Sequence, residues 1–340
     1  MTTSSHQASS IPHLSKEFLA KELTYAKLIP ALRKAFASDM VAPRRHVHTL
    51  SENPASTLLL MPVWQTHGTT GVKLVTVAPE NNEAPSVHAI FILFDKTTGA
   101  PLAMMDGEEL TLRRTAAASA LASAYISRTD SEHLLMIGTG KLIPYLATAH
   151  CQVRTIKEIT VWGRSQEKAE QSMQAILEQR ELPKNIQLSV ATDLSKAAAQ
   201  ADVISCATTS RQAIVMGHMV KAGTHLDLVG GFTPNMREVD DTLMAKAQVF
   251  VDTYAGALTE AGDITQALAN ACLQRSAIVG ELAELVNGKH RGRSDEQQIT
   301  VFKSVGTAIE DLCGANLVWK AHVHEKMHHQ TQTQDKQNQP

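Results

Sequence analysis

The sequence predicts an α/β protein in which a doubly wound parallel-sheet domain is inserted into a second, α+β domain. Three observations predict it. Residues 133–165 run from the apolar HLLMI through Gly138-Thr139-Gly140 and a helix-like stretch to a second apolar run, ITVW, ending in Gly163-Arg164-Ser165. The alternation then continues through IQLSVAT, DVISCAT, HLDLVG and VFVDT, as parallel strands joined by helices require. The first part of the chain and its last helix follow different patterns, so the parallel unit interrupts another domain. The expected domains are 1–128 plus 307–330, and 129–306. Residues 331–340 are expected to form a disordered, Gln-rich tail.

Each element follows from its pattern. Residues 1–12 are polar and read as loose. Residues 16–38 carry apolar side chains near the 3.6 period and read as a helix. Residues 57–63, TTGVKLVTV and HAIFILFD read as strands, and Thr97-Thr98-Gly99 as a hairpin-type turn before PLAMMD. Residues 110–127 are alanine-rich and read as one closely packed helix. The segment KAEQSMQAILEQR reads as the second helix of the parallel unit. Near ITVFKSVGTAIEDL the pattern returns to a long helix reaching about His324, followed by His322, His324, His328 and His329 in or beside the polar tail.

The unit in residues 133–165 is the Rossmann-type strand–turn–helix–strand that binds a dinucleotide. Gly138 and Gly140 let backbone N–H groups approach a pyrophosphate at a helix N-terminus, with Thr139 between them. The third glycine position holds Ile143. An acid at the end of the second strand would bond the ribose 2′-OH of NAD and repel a 2′-phosphate. Arg164, helped by the Ser165 hydroxyl, instead suits a 2′-phosphate, so NADPH is the expected cofactor and NADH the weaker one.

Composition narrows the classes. The 340 residues suffice for two domains, and a net charge of −2 gives no long-range pull towards nucleic acid or anionic membrane. The four cysteines are scattered without a C-x-x-C pair, which argues against a disulfide framework or a cysteine metal site. The N-terminus lacks a secretory pattern, and no apolar run reaches membrane-spanning length. A cytoplasmic protein is the expectation.

Over most of its length the chain resembles the ornithine cyclodeaminase/mu-crystallin family. The blocks that carry the resemblance are GVKLVTV, APSVHAIFILFD, MMDGEELTLRRTAAASALA, MIGTG, ITVWGR, ADVISCATT, LVGGFTPNMREVDDTL and ITVFKSVGTAIEDL. The resemblance implies a homodimer, with a Rossmann domain inserted in the second domain and substrate meeting nicotinamide between the two.

It also implies site residues. Lys73 lies in an apolar strand; alone it reads as an edge lysine or as a proton donor, and the family places an active-site lysine there. Arg114, directly before Thr115, matches the family's Arg-Thr pair. The Arg reaches the substrate carboxylate or cofactor phosphate, and Thr115 approaches the cofactor. Arg113 does not match, and alone both arginines read as helix-flanking charges. Arg45 fits the family's carboxylate-binding position better than Arg44, and both stay open. Ser86 matches a pocket hydroxyl and Ser304 one near the nicotinamide amide; alone both read as ordinary hydroxyls. His88 reads as a satisfied structural histidine. Asp240 and Asp241 read as helix caps. No metal site is expected.

One departure discriminates within the family. Cyclodeaminases carry an Asp after the glycine pair, used on the ornithine amine, whereas this chain reads Gly230-Gly231-Phe232-Thr233-Pro234. A phenyl ring can neither accept a proton nor pair with an ammonium. The segment is most similar to bacterial reductases of cyclic ketimine carboxylates, with Δ1-pyrroline-2-carboxylate giving L-proline and Δ1-piperideine-2-carboxylate giving L-pipecolate. The rivals are an alanine-dehydrogenase-like enzyme, an ornithine-cyclodeaminase-like one, and a non-catalytic crystallin-like protein that binds NADPH and a ligand.

Overall fold

The computed structural model describes residues 10–66, 68–81, 83 and 85–337. Its contacts divide it into two units. The first comprises Met1–Leu23, Met40–Thr111 and Asp311–Pro340; the second comprises Thr24–Asp39 and Leu112–Glu310. In this division the boundaries expected at 128 and 307 fall after 111 and after 310. Residues 24–39 belong with the parallel-sheet unit, and so does most of the helix expected at 110–127.

The first unit begins with β1 (His13–Leu14) and α1 (Lys16–Glu22), whose N-terminus is capped by Ser15. The single helix expected over 16–38 is broken. Thr24 is extended (φ −64°, ψ 148°) and starts a separate α2 (Tyr25–Phe36). This second helix buries Leu28, Ile29, Leu32 and Phe36, and Tyr25 donates from its N–H to Glu181 and from its hydroxyl to the Tyr145 carbonyl. Long-range bonds of this kind, all within the second unit, decide the split.

The sheet of the first unit is formed by β2 (Met40–Val41), β3 (His46–Glu52), β4 (Ala55–Gln65), β5 (Thr69–Val77), β6 (Val87–Asp95) and β7 (Pro101–Asp106), with β1 on its edge. Its order is β1-β7-β6-β5-β4-β2, and β3 also pairs with β4. The expected turn at Thr97-Thr98-Gly99 is present, fastened by the Asp95 carboxylate accepting from the Thr97 and Thr98 N–H groups. Strand β3 was not expected: its side chains are almost all exposed, so its sequence carries no burial alternation.

Register separates two faces. Met61, Lys73, Phe91 and Met105 lie side by side and are buried. The opposite face aligns Leu60 with Leu74 and Ile90, and Pro62 with Val72 and Ile92, all partly or fully exposed.

Helix α3 (Gly107–Ile126) crosses the unit boundary. Its C-terminal carbonyls are taken by Arg154, which donates to Ser123, Ala124 and Ser127, fixing that end in the second unit. The chain continues through β8 (His133–Ile137), α4 (Ile143–His150), β9 (Glu158–Trp162), α5 (Gln166–Leu177), β10 (Gln187–Val190), α6 (Leu194–Gln200) and β11 (Val203–Cys206). It then adds β12 (His225–Leu228), α7 (Asp241–Lys246), β13 (Gln248–Val251), α8 (Tyr254–Glu260), α9 (Gly262–Ala269), β14 (Ile278–Glu281), α10 (Leu282–Val286) and β15 (Thr300–Lys303).

Among the described residues these strands form an all-parallel sheet of order β10-β9-β8-β11-β12-β15-β13-β14. The order reverses between β8 and β11, the switch point where open α/β sheets bind ligands. The run TVFK, read as the approach to a long helix, is instead strand β15, with all four residues buried between β12 and β13.

Helix α11 (Ala308–Gln337) closes the chain. It runs beyond His324 and takes in residues 331–337, correcting the disordered tail expected there; residues 338–340 and 1–9 lie outside those described. No glycine or proline follows Gly314 until residue 340, and the Gln, Lys, Glu and His residues of this stretch tolerate a helix. His322 packs against Phe18 and Trp319, and the His324 and His328 rings meet one turn apart.

Candidate active site

In the second unit the glycine turn lies at the switch point. Gly138 has φ +128°, and a Cβ there would come within 2.7 Å of the Ala207 carbonyl oxygen, so only glycine lets the turn after β8 touch the end of β11. A Cβ at Gly140 would meet nothing within 4 Å. Open space above Gly140 and the start of α4, which has no side-chain cap, fit a pyrophosphate accepting backbone N–H bonds. Ile143, at the third glycine position, is buried and faces Gly138, so it closes the turn by packing.

At the end of β9, Gly163 allows contact with the neighbouring turn, since a Cβ there would lie 2.5 Å from Thr139 Cγ2. This sets Arg164 and Ser165 beside the glycine turn. Arg164 is exposed, as a phosphate-binding guanidinium requires. Ser165 also caps α5, its Oγ accepting from the Lys168 N–H at 3.3 Å.

Arg114, Ser304 and the Gly306 turn come together in this unit. The Arg114 guanidinium is buried and pairs with Glu310 at 2.5 Å. It lies against Gly306 (φ +79°), where a Cβ would meet Nη1 at 2.6 Å. Ser304 is buried, its N–H donating to the Leu228 carbonyl at 3.2 Å. Asp252 shapes the next turn, its Oδ2 accepting from the Val305 and Gly306 N–H groups at 2.9 and 2.7 Å. Thr115 is half-buried beside Arg114. Arg113 diverges from its neighbour: it pairs with Glu181 at 3.2 Å and lies over the Tyr25 and Tyr145 rings.

In the first unit, Lys73 lies in the middle of the sheet, not at an edge, and on its buried face. Its ammonium donates to Asp311 Oδ1 at 2.9 Å, lies 2.8 Å from Oδ2, and donates to Thr111 Oγ1 at 3.3 Å. Helix α11 reaches this face because Gly314 lets it pack closely on Leu110, and Thr69 Oγ1 bonds Asn316. Arg45, half-buried, directly precedes β3, whereas Arg44 is exposed. Ser86 is exposed just before β6, its carbonyl accepting from the Ala78 N–H. His88 is exposed on β6, opposite Thr76 of β5.

Sequence reasoning missed Glu310 and Asp311. The available signal was an acid pair just after Gly306-Thr307 in an otherwise apolar helix start, with Lys73 and Arg114 as buried cations in need of anions. Asp240 caps α7 as expected, Oδ1 accepting from the Leu243 N–H. Asp241 instead pairs with Arg237 at 2.7 Å. Phe232 follows the Gly230-Gly231 turn at the carboxyl end of β12 and is 45% exposed.

The sequence matches the model of the ornithine cyclodeaminase/mu-crystallin family over residues 14–327. The chain belongs to that family. A Δ1-pyrroline-2-carboxylate reductase from Colwellia psychrerythraea is 38% identical over 312 residues, covering 90% of this chain and 97% of the relative. Among solved structures, the Thermococcus litoralis Δ1-pyrroline-2-carboxylate reductase in complex with NADH and L-proline is similar at a TM-score of 0.87 and 31% identity, over 93% of this chain and 98% of that one. An archaeal alanine dehydrogenase dimer with bound NAD gives a TM-score of 0.85 at 26% identity, over 93% and 97%. This member of the ornithine cyclodeaminase/mu-crystallin family is an NAD(P)H-dependent oxidoreductase.

Proposed function

We propose that the enzyme reduces cyclic ketimine carboxylates, Δ1-pyrroline-2-carboxylate to L-proline and Δ1-piperideine-2-carboxylate to L-pipecolate, with NADPH as the preferred cofactor. Phe232 carries this reading. Where a cyclodeaminase needs an acid for its substrate amine, this chain presents an exposed phenyl ring suited to a hydrocarbon ring. The likeness to reductases of the same substrate supports it.

In this reading Arg45 and Arg114 hold the carboxylate, and Ser86 lines the pocket. Lys73 supplies the proton that keeps the imine nitrogen cationic, or bonds the carboxylate. Asp311 fixes the direction of the Lys73 ammonium. A protonated imine has an electrophilic carbon, and the nicotinamide, when bound, supplies hydride to it. Gly138, Thr139 and Gly140 take the pyrophosphate, Arg164 and Ser165 the 2′-phosphate, and Thr115 and Ser304 the nicotinamide end. The protein's part is orientation and charge.

The apolar row Leu60–Leu74–Ile90, partly exposed at the two leucines and exposed at Ile90, supports a homodimer through this face of the first unit's sheet. Among the described residues no helix is long and apolar enough to cross a membrane.

The deciding assay is oxidation of NADPH and NADH by purified protein with Δ1-pyrroline-2-carboxylate, Δ1-piperideine-2-carboxylate, or pyruvate plus ammonia. Fast NADPH oxidation with the cyclic imines is the expected result. Turnover only with pyruvate and ammonia moves the enzyme to the alanine dehydrogenase class. Cofactor binding without any turnover refutes the reductase reading.

A further inference from the structure

Three ionisable side chains in the second unit lie fully buried beneath the carboxyl ends of β11, β12 and β15, and the proposed chemistry does not use them. They are Glu238, Asp263 and Lys303. A buried set of two acids and one base is a poor source of stability, because desolvation offsets most of the attraction. Their bonds point to another purpose, since they go to the backbone of the turns that follow these strands.

Glu238 Oε1 accepts from the Thr208 N–H at 2.7 Å, just after β11. Asp263 Oδ1 accepts from the Glu238 and Val239 N–H groups at 2.7 and 3.1 Å. The Lys303 ammonium donates to the carbonyls of Leu228, at 3.1 Å, and Gly230, and lies 3.4 Å from Asp263 Oδ2. Lys303 also directly precedes Ser304.

The two glycines are explained by the two acids. A Cβ at Gly230 would overlap the Thr208 carbonyl oxygen and Glu238 Oε1. Gly231 has φ +57°, and a Cβ there would lie 2.6 Å from Asp263 Oδ2. The turn is therefore pressed onto the carboxyl groups, with its carbonyl held by the lysine. The next residue is Phe232, directed to the exterior.

We propose that Glu238 is a positioning residue that, with Asp263 and Lys303, sets the Gly230–Gly231–Phe232 turn against the substrate and so determines its KM. This rests on the reading of the site as one for cyclic ketimine carboxylates. Glu238 is fully buried, and it acts through the Thr208 backbone and the Gly230 contact. Burial, opposed by Lys303 and reinforced by Asp263, pushes its carboxyl up to about 8, so the group bonds Thr208 as a largely neutral acid at pH 7. A neutral amide of the same shape should then replace it.

The test compares the full-length wild type with Glu238→Gln, Glu238→Ala and Glu238→Asp. The readouts are steady-state kinetics with Δ1-pyrroline-2-carboxylate, the dissociation constant of NADPH by fluorescence, and thermal unfolding. Wild-type turnover is checked first; its absence is a failure of the functional reading, distinct from a failure of this one. Glu238→Gln is expected to keep KM within about threefold of wild type, as its amide oxygen still accepts the Thr208 bond. Glu238→Ala, or Glu238→Asp should Ala at 238 not fold, is expected to raise substrate KM about tenfold or more, the scale of one lost buried hydrogen bond. Cofactor affinity should change far less. The proposal is overturned if a folded Ala or Asp variant keeps the wild-type KM, or if Glu238→Gln raises KM as far as they do.

Discussion

Replacing Lys73 with Met tests both the chemistry and the energetics of the buried pair. The side chain of Lys73 is 3% exposed and that of Asp311 is fully buried, with the charges 2.8 Å apart. Met keeps the length of the stem and removes the ammonium, leaving the Asp311 carboxylate without its lysine. Breaking a buried pair from one side costs about 3–5 kcal/mol, whereas replacing both partners by neutral groups costs much less. At roughly 2 °C per kcal/mol for a protein of this size, the single variant should unfold 6–10 °C below wild type. The double variant Lys73→Met with Asp311→Asn should recover a large part of that loss. Both should bind NADPH with near wild-type affinity, because the cofactor turn lies in the other unit's sequence. Both should lose imine reduction by about a hundredfold or more, the usual contribution of a positioned acid. Circular dichroism melts, NADPH fluorescence titration and the NADPH oxidation assay give the three numbers. Wild-type turnover in a folded Lys73→Met protein would refute the catalytic role. Unchanged melting would refute the claim that the pair is buried and coupled.

Three further outcomes are expected. Arg164→Ala should raise the KM for NADPH by about 10–100-fold and leave that for NADH nearly unchanged, the scale of a lost charge-assisted bond; equal effects on both cofactors in steady-state assays would remove the 2′-phosphate role. Ile90→Lys, at the exposed end of the apolar row, should raise the dimer dissociation constant about a hundredfold or more, seen as a shift to monomer by light scattering; an unchanged mass would place the interface elsewhere. His225 is fully buried against Thr300, and burial lowers its imidazole to about 3. Between about pH 6.5 and 3 the unfolded chain therefore binds a proton that the folded one does not, so stability is full above that window and falls with acidification by up to about 1.4 kcal/mol per pH unit. His225→Gln should flatten this limb in melts recorded against pH, and a parallel curve would show that other groups set it.

Local pattern made much of this protein legible. The short β-branched and aromatic runs GVKLVTV and HAIFILFD read as strands, and β5 and β6 are those strands. The glycine pair between HLLMI and a helix required a close backbone turn, because the conformation at Gly138 is open to glycine alone. Arg164 and Phe232 were readable as departures because each puts a different chemistry at a position fixed by its neighbours. These are properties of a few adjacent residues, and adjacent residues are what a sequence displays.

What tertiary structure decided is the pairing of distant groups. Nothing near Thr24 announces that α1 and α2 belong to different units; the Tyr25 bonds to Glu181 and Tyr145 determine it. Strand β3 exists because β4 offers it an edge, not because its own side chains seek burial. Lys73 and Arg114 were visible as candidates, but their anions, Asp311 and Glu310, are about two hundred residues away in sequence. The Glu238, Asp263 and Lys303 cluster likewise draws on three separate segments. A buried charge must be neutralised by whatever the fold brings beside it, and that neighbour is chosen by the packing of whole elements rather than by any local pattern.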